Sequence, residues 1–372
     1  MKRTAKTLFC LAASLVLGAV QPAAASGENP NMPEAQYFFP DESLPHEGTW
    51  LIWPHARTYG AKYAAAIEPI WVQMTLALHT GERVHIIARD EALRARVTKL
   101  LSEKGADLSK IDFLVAPSDD VWARDTGPMF VFDKANRLYI ADFAFDGWGR
   151  KTPFANDDRI PRAVSKAIGV PRLDIPGFVL EGGAVELSPD GTLLATKSAV
   201  ISKARNPGMP QAEAEAYLRR YLGAKRFIWL EGVTGEDITD AHIDGFARFY
   251  DADTLLTVPE SDFFELYEHA DPKDYEKLTA ATNAAGKRYR IVEVPLTARN
   301  VKGLGYKGSY LNFYVGTKAV LLPVYGDRND KKAEAILQGL YPGRRIVPIN
   351  VAALYKNGGM LHCVTQQQPR SR

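Results

Sequence analysis

The sequence predicts a single α/β domain assembled from repeated units, and three observations lead there. Apolar β-type runs alternate with segments whose apolar residues recur at three- and four-residue intervals, the helical period. The alternation continues from about residue 46 to the C-terminal stretch without a Pro-, Gly- or Ser-rich linker. It also recurs on a loose period of roughly 60–70 residues, which makes about five helix-plus-strands units. For 372 residues two domains are the default by length, but the unbroken rhythm favours one.

Taken in order, residues 1–25 read as a secretory leader. Lys2, Arg3 and Lys6 form a cationic start, 8–20 is an apolar run, and Ala23-Ala24-Ala25 offers small residues for cleavage. Cys10 is not read as a lipidation site, because Phe9 stands before it where a small residue belongs. The chain is therefore expected to be exported, periplasmic or secreted. Residues 26–45 are polar and Pro-containing and are expected to form a loose lead-in to a domain spanning 46–372. Within that domain strands are expected at 84–88, 113–116, 129–132, 138–143, 193–200, 226–230, 246–249, 254–258, 291–294, 310–315 and 319–322. Helices are expected at 62–79, 90–104, 157–168, 210–222, 272–286 and 328–340, the last bounded by Gly326-Asp327 and Tyr341-Pro342-Gly343.

Charge narrows the function classes. The formal net charge is +2, and setting aside the leader removes three cations and no acid, leaving about −1. A nucleic-acid binder working by phosphate neutralisation is disfavoured, and no later apolar run approaches the roughly 20 residues of a membrane span. Without Cys10, Cys363 is the remaining cysteine, so no intramolecular disulfide can form. A lone thiol in an exported chain is either a buried small hydrophobe or a nucleophile.

Its neighbours favour chemistry. Cys363 lies in NGGMLHCVTQQQP, where His362 adjoins it but is expected to face the other way on extended backbone. Three other strings supply partners. In DAHIDGFARF, strand spacing would project His242 and Asp244 to one side; the alternative is a surface pair beside a turn. In WARDTGP, Asp125 follows Arg124 at a bend, either as a functional carboxylate or as half of a surface ion pair. In LEGGAVE, Glu181 precedes two glycines that admit close approach; the alternative is a bulge with a solvated Glu. GxxxxGK[ST], HExxH and CxxC are absent, and His46, His55, His79, His85 and His269 are scattered singly and read as structural. One thiol, one imidazole and several carboxylates, with no metal or organic cofactor called for, suit a planar guanidinium cation better than a peptide carbonyl.

WARDTGPMFV, LEGGAVE, DAHIDGFARF, KGSYLNFYVG and GGMLHCVTQQQP, in that order, resemble the motifs of the agmatine deiminase family, which includes bacterial-type peptidylarginine deiminases. The resemblance runs from about Gly48 to Pro369. It implies the pentein fold, a five-bladed αβ propeller of pseudo-fivefold symmetry with the site at its centre. It also implies Cys363 as nucleophile, His242 as general acid/base, Asp125 and Asp244 as the clamp on the guanidinium, and Glu181 as the residue orienting His242. Trp122, Trp148 (in DGWGRKTPF) and Asn312 would bind substrate, with Tyr310 as a further aromatic wall. The implied reaction passes through a thiouronium intermediate, the arriving cation offsetting carboxylates that otherwise oppose the thiolate. The expected substrate is agmatine, giving N-carbamoylputrescine and ammonia, an activity of polyamine metabolism. Alternatives are an exported deiminase acting on arginine in peptides, and a non-catalytic binder of cationic ligands. Two departures bear on the substrate's far end: Ala184 where the family commonly has Asn, and Asn357, Met360 and Leu361 where it reads GGGNxHC. Arg150 and Lys151 are the cations placed to meet a substrate carboxylate instead.

Overall fold

The structure is a computed structural model and describes residues 34–371. The expected leader, 1–25, and the start of the lead-in, 26–33, lie outside the described residues.

Among the described residues the strands form five sheets on one plan. In each, a first strand pairs antiparallel with a second, and a third runs parallel to the second after a helical crossover, the connection parallel strands require. Met129–Asp133, Leu138–Ala144 and Arg172–Val179 make one sheet, crossed by helix Ile160–Ile168. Val185–Leu187, Thr192–Thr196 and Arg226–Leu230 make the next, with helix Gln211–Leu222. Ala247–Asp251, Thr254–Thr257 and Arg290–Glu293 follow, with helices Glu260–Leu266 and Pro272–Thr279. Tyr314–Val315, Ala319–Val324 and Arg345–Asn350 follow in turn, with helix Asp330–Leu340. The fifth sheet is shared between the two ends of the described chain. Gln366–Pro369 pairs antiparallel with His46–Ile52, Gln366 opposite Trp50, and Arg83–Ala88 and Ile111–Val115 continue the sheet in parallel.

Local chemistry sets these elements. Asp90 accepts the Leu93 amide and starts helix Glu91–Glu103. Gly169 and Gly223 take left-handed backbone to end theirs. The parallel middle strands are covered on both faces, every residue of Thr192–Thr196 being buried, so they lack the alternation of a half-exposed strand.

Several expectations need correction. The run 193–200 is two elements: after Thr196 the Thr196 hydroxyl accepts the Ala199 amide and starts a helical turn, Lys197–Val200. In 310–315 the strand is only Tyr314–Val315. Helix 272–286 stops at Thr279. Strands His46–Ile52, Arg172–Val179 and Arg345–Asn350 were not expected. The lead-in is not loose over its described part: Tyr37 and Phe38 pair with Asp133 and Phe132, and the Glu42 carboxylate accepts the Val315 amide at 2.9 Å.

Candidate active site

The five strings occupy equivalent places, each just ahead of the first strand of a sheet. Asp125 lies in the turn Ala123–Thr126 before Met129, and Glu181 opens the turn Gly182–Ala184 before Val185. His242 precedes the turn Ile243–Gly245 before Ala247 and Asp244 lies within it; Asn312 precedes Tyr314; Cys363 sits in the turn His362–Val364 before Gln366. His242 and Asp244 thus converge through a tight helical turn and not through the extended spacing expected. One shared plan delivers a group from each sheet, and two from the turn before Ala247, to a common centre.

The alternatives left open by the sequence are resolved by burial. Glu181 is fully buried, His242 and Asp244 are nearly so, and Arg124 pairs with Glu42 and Gln366, not with Asp125. His242 Nε2 lies 3.0 Å from Glu181 Oε2, and its Nδ1 lies 3.8 Å from Asp125 Oδ1. Asp125 Oδ1 accepts the Gly183 amide at 2.9 Å and Oδ2 the Trp148 indole N–H at 3.0 Å. The Cys363 sulfur stands 3.8 Å from Asp244 Oδ2. Gly183 has to be glycine: a Cβ there would lie 2.7 Å from His242 Nδ1, 3.0 Å from Asp125 Oδ1 and 3.1 Å from Asp244 Oδ2.

Electrostatics follow from this packing. Burial works against a charged His242, but Asp125 and Glu181 outweigh it and lift the imidazolium to about 9. Burial raises the Cys363 thiol well above its usual range, and Asp244 and Asp125 raise it further. Burial also raises Asp125, with His242 opposing and Glu181 and Asp244 assisting. Asp244 differs: burial raises it, yet the His362 ring outweighs this and holds it low. The resting site pairs a protonated imidazole with a protonated thiol.

Two residues given no role by sequence reasoning support this set. Arg205, fully buried, donates from Nε to Glu181 at 2.8 Å and from Nη1 to Asp240 at 2.6 Å. His362 binds Asp244 Oδ2 through Nδ1 at 2.7 Å and Glu42 Oε2 through Nε2 at 2.8 Å. Both are polar residues whose partners lie far off in sequence, which no local pattern signals.

Of the expected substrate contacts, Asn312 lines the cavity, and its Oδ1 accepts the His362 amide at 3.0 Å and the Cys363 amide at 3.3 Å. Trp122 is buried against Gly359, whose built Cβ would fall 2.0 Å from the indole. Tyr310 is buried and hydrogen-bonded to Asp330 at 2.7 Å, so it is not a wall. The tyrosines that do face the cavity of about 510 Å³ beside Cys363, His242 and Asp244 are Tyr59, Tyr267, Tyr306 and Tyr355. Glu236, Asp237 and Met360 also line it, and among the described residues no Lys or Arg does. Lys151 is spent on Asp240, at 2.7 Å, and Arg150 is exposed on the adjacent loop. Ala184 is buried in an apolar cluster. Among the described residues no group of three or more His, Cys, Asp or Glu side chains is arranged to hold a metal ion, and no helix is long and apolar enough to cross a membrane.

Residues 38–369 match the family described as Porphyromonas-type peptidyl-arginine deiminase. A Selenomonas ruminantium protein provisionally named an agmatine deiminase is 31% identical, over 90% of this chain and 96% of its own. The agmatine deiminase of Stutzerimonas stutzeri is 29% identical, over 90% and 95%. A crystal structure from Porphyromonas gingivalis, provisionally named an arginine deiminase, is 34% identical with a TM-score of 0.80, covering 90% of this chain and 99% of that one.

Proposed function

Because the chain belongs to the Porphyromonas-type peptidyl-arginine deiminase family, we propose that it hydrolyses the C–N bond of a guanidinium substrate, agmatine first, releasing ammonia and a ureido product. The observation that carries the choice of agmatine is the cavity lining. It combines Cys363, His242 and Asp244 with tyrosines and two further acids, and among the described residues it offers no Lys or Arg. Agmatine is a dication with an ammonium at its far end, which acids and aromatic faces suit. Free arginine would bring a carboxylate to the same place without a partner, a mismatch that buried sites reject strongly.

The chemistry follows from the geometry. Asp244 and Asp125 hold the guanidinium, whose positive charge offsets the two carboxylates and lets Cys363 shed its proton to solvent. The thiolate adds to the central carbon. The protonated His242 gives its proton to one nitrogen, the C–N bond breaks, ammonia leaves and a thiouronium remains. Neutral His242 then takes a proton from water, hydroxide adds to the carbon, and the C–S bond breaks, returning the thiolate, as the added hydroxyl gives its proton to solvent and the carbonyl forms. Such acid/base help contributes about 10²–10⁴-fold. The raised His242 supplies the acid at neutral pH, and Glu181, fixed by Arg205, aims it.

The same reading takes the five sheets as blades of a five-bladed αβ propeller; their shared plan supports it. The leader-like residues 1–25 support action outside the cytoplasm, periplasmic or secreted. Arginine in peptides is the second reading, favoured by exposed Arg150 on the loop that follows Trp148. The deciding assay compares ammonia and ureido product from agmatine, free arginine and a C-terminal-arginine peptide. A higher kcat/KM for the peptide reverses the substrate choice, and no ammonia from any of them, with binding retained, leaves a non-catalytic cation binder.

A further inference from the structure

The loop after strand Leu138–Ala144 carries four consecutive residues in left-handed backbone: Gly147 at φ 72°, Trp148 at 57°, Gly149 at 81° and Arg150 at 63°. Glycine takes that conformation freely. An L side chain there crowds the following carbonyl, and a bulky aromatic is a genuine outlier. Strain of this kind persists where the surroundings fix it, and here they do. Asp146 accepts the Gly149 amide on Oδ1 at 2.7 Å and the Arg150 amide on its carbonyl at 2.8 Å. Gly149 is pressed against Ala204, a built Cβ falling 2.8 Å from Ala204 Cβ and 3.2 Å from Arg205 Nη1. Lys151 closes the turn, donating to the Ile238 carbonyl at 2.9 Å and to Asp240 at 2.7 Å.

What the turn delivers is one indole. Trp148 is buried, its ring set edge-on to Phe145 with centroids 5.1 Å apart, and its N–H meets Asp125 Oδ2 at 3.0 Å. An indole has a single donor, so the polar group of Trp148 is spent on the clamp and not on substrate. The other oxygen of Asp125, Oδ1, takes the Gly183 amide at 2.9 Å. The last torsion of an Asp side chain is broad, so packing around Cβ leaves the carboxylate plane loosely set. One donor on each oxygen fixes that plane, and each oxygen keeps a lone pair for a substrate N–H. A planar guanidinium pairs best with a carboxylate whose plane is set in this way.

Resting on the deiminase reading above, we infer that Trp148 is a positioning residue for the reaction: its indole N–H fixes the Asp125 carboxylate against the guanidinium, and the left-handed turn 147–150 is the device that places it. The assignment accounts for an aromatic residue and an arginine on backbone that favours glycine. The turn is also tied to the acid/base side of the site. Lys151 binds Asp240, two residues before His242, and Gly149 packs beside Arg205, which holds Glu181. One strained loop thus sets the clamp in register with the groups that move protons.

The experiment uses the full chain and Trp148→Phe, which keeps a ring against Phe145 and lacks the N–H. KM for agmatine is expected to rise by about tenfold or more, the scale of one hydrogen bond to a charged group. The change in kcat is expected to be smaller, because the clamp grips substrate and transition state alike. An unchanged KM in the folded variant, or a loss of kcat alone, overturns the inference. The wild-type Trp148 indole ¹H–¹⁵N resonance, assigned by its loss in Trp148→Phe, is expected to exchange slowly with solvent and to shift in Asp125→Asn. A ring that only filled space would give neither the KM rise nor that shift, and a resonance indifferent to Asp125→Asn overturns the inference too. If Trp148→Phe does not fold, the comparison of wild type with Asp125→Asn decides. If the wild type releases no ammonia from agmatine, the deiminase reading fails, and calorimetry of agmatine binding tests the placement by itself. Affinity about tenfold weaker in Trp148→Phe then supports it, and equal affinity overturns it.

Discussion

At the thiol, burial and two carboxylates oppose ionisation, so the attacking species has to be made by the substrate's arrival. Titrating thiolate absorbance should give a lower apparent value with an unreactive guanidine bound than without, using Cys363→Ser as the blank; an unchanged value would refute substrate-assisted ionisation. Asp244→Asn should lower kcat/KM by about 2–5 kcal/mol, the cost of leaving a desolvated cation with one charged partner gone, read from steady-state kinetics. Gly183→Ala tests the packing between the catalytic side chains. A Cβ 2.7 Å from His242 Nδ1 displaces the ring, and a misplacement near 1 Å costs about a hundredfold in rate. Circular dichroism should meanwhile report an intact fold. The groups that bear charge or bonds were legible in the sequence because each sits in a short distinctive string. Glu42, Arg205 and His362 were not. Glu42 and His362 meet across 320 positions, and an isolated Glu, Arg or His announces nothing until the fold supplies its partner.

Among the elements, the long helices were legible because one buried face repeats at the helical period, as Gly60–Leu78 does through Ile67, Ile70, Trp71 and Met74. The strands flanking the site were harder. Tyr314–Val315 and Val185–Leu187 are too short for a pattern, and a fully covered strand such as Thr192–Thr196 cannot be told from the helical turn that follows it by periodicity alone. Two catalytic loops are fastened to each other by charge: Lys151 and Arg205 both bind Asp240, which takes left-handed backbone two residues before His242. Arg205→Leu leaves Glu181 and Asp240 buried with one cation fewer. Breaking a buried pair in this way costs about 3–5 kcal/mol, so urea denaturation should show a lower midpoint, and activity should fall with it because Glu181 no longer holds the His242 ring.

For the whole molecule, the raised His242 links stability to pH. Its folded value of about 9 lies above the ordinary 6.5, so its contribution is complete below about 6.5 and is lost as pH rises through about 9. Chemical denaturation across that window should show declining stability, by about 3 kcal/mol at most, and His242→Gln should flatten the decline. The repeated plan of the five sheets was legible as a loose period. The sharing of the fifth sheet between opposite ends of the described chain was not, because a strand reading QQQP carries no β-type signal.

That shared sheet also sets a clock. Gln366 meets Trp50 across about 300 residues, and bringing such distant points together carries an entropic penalty of about 5 kcal/mol. Contacts this remote form late. Cys363 stands three residues before Gln366, in the turn that this pairing anchors. A refolding chain can therefore acquire most of its helices and four of its sheets while its nucleophile is still unplaced. Regain of turnover should lag regain of far-ultraviolet ellipticity, and partly folded intermediates should be catalytically silent.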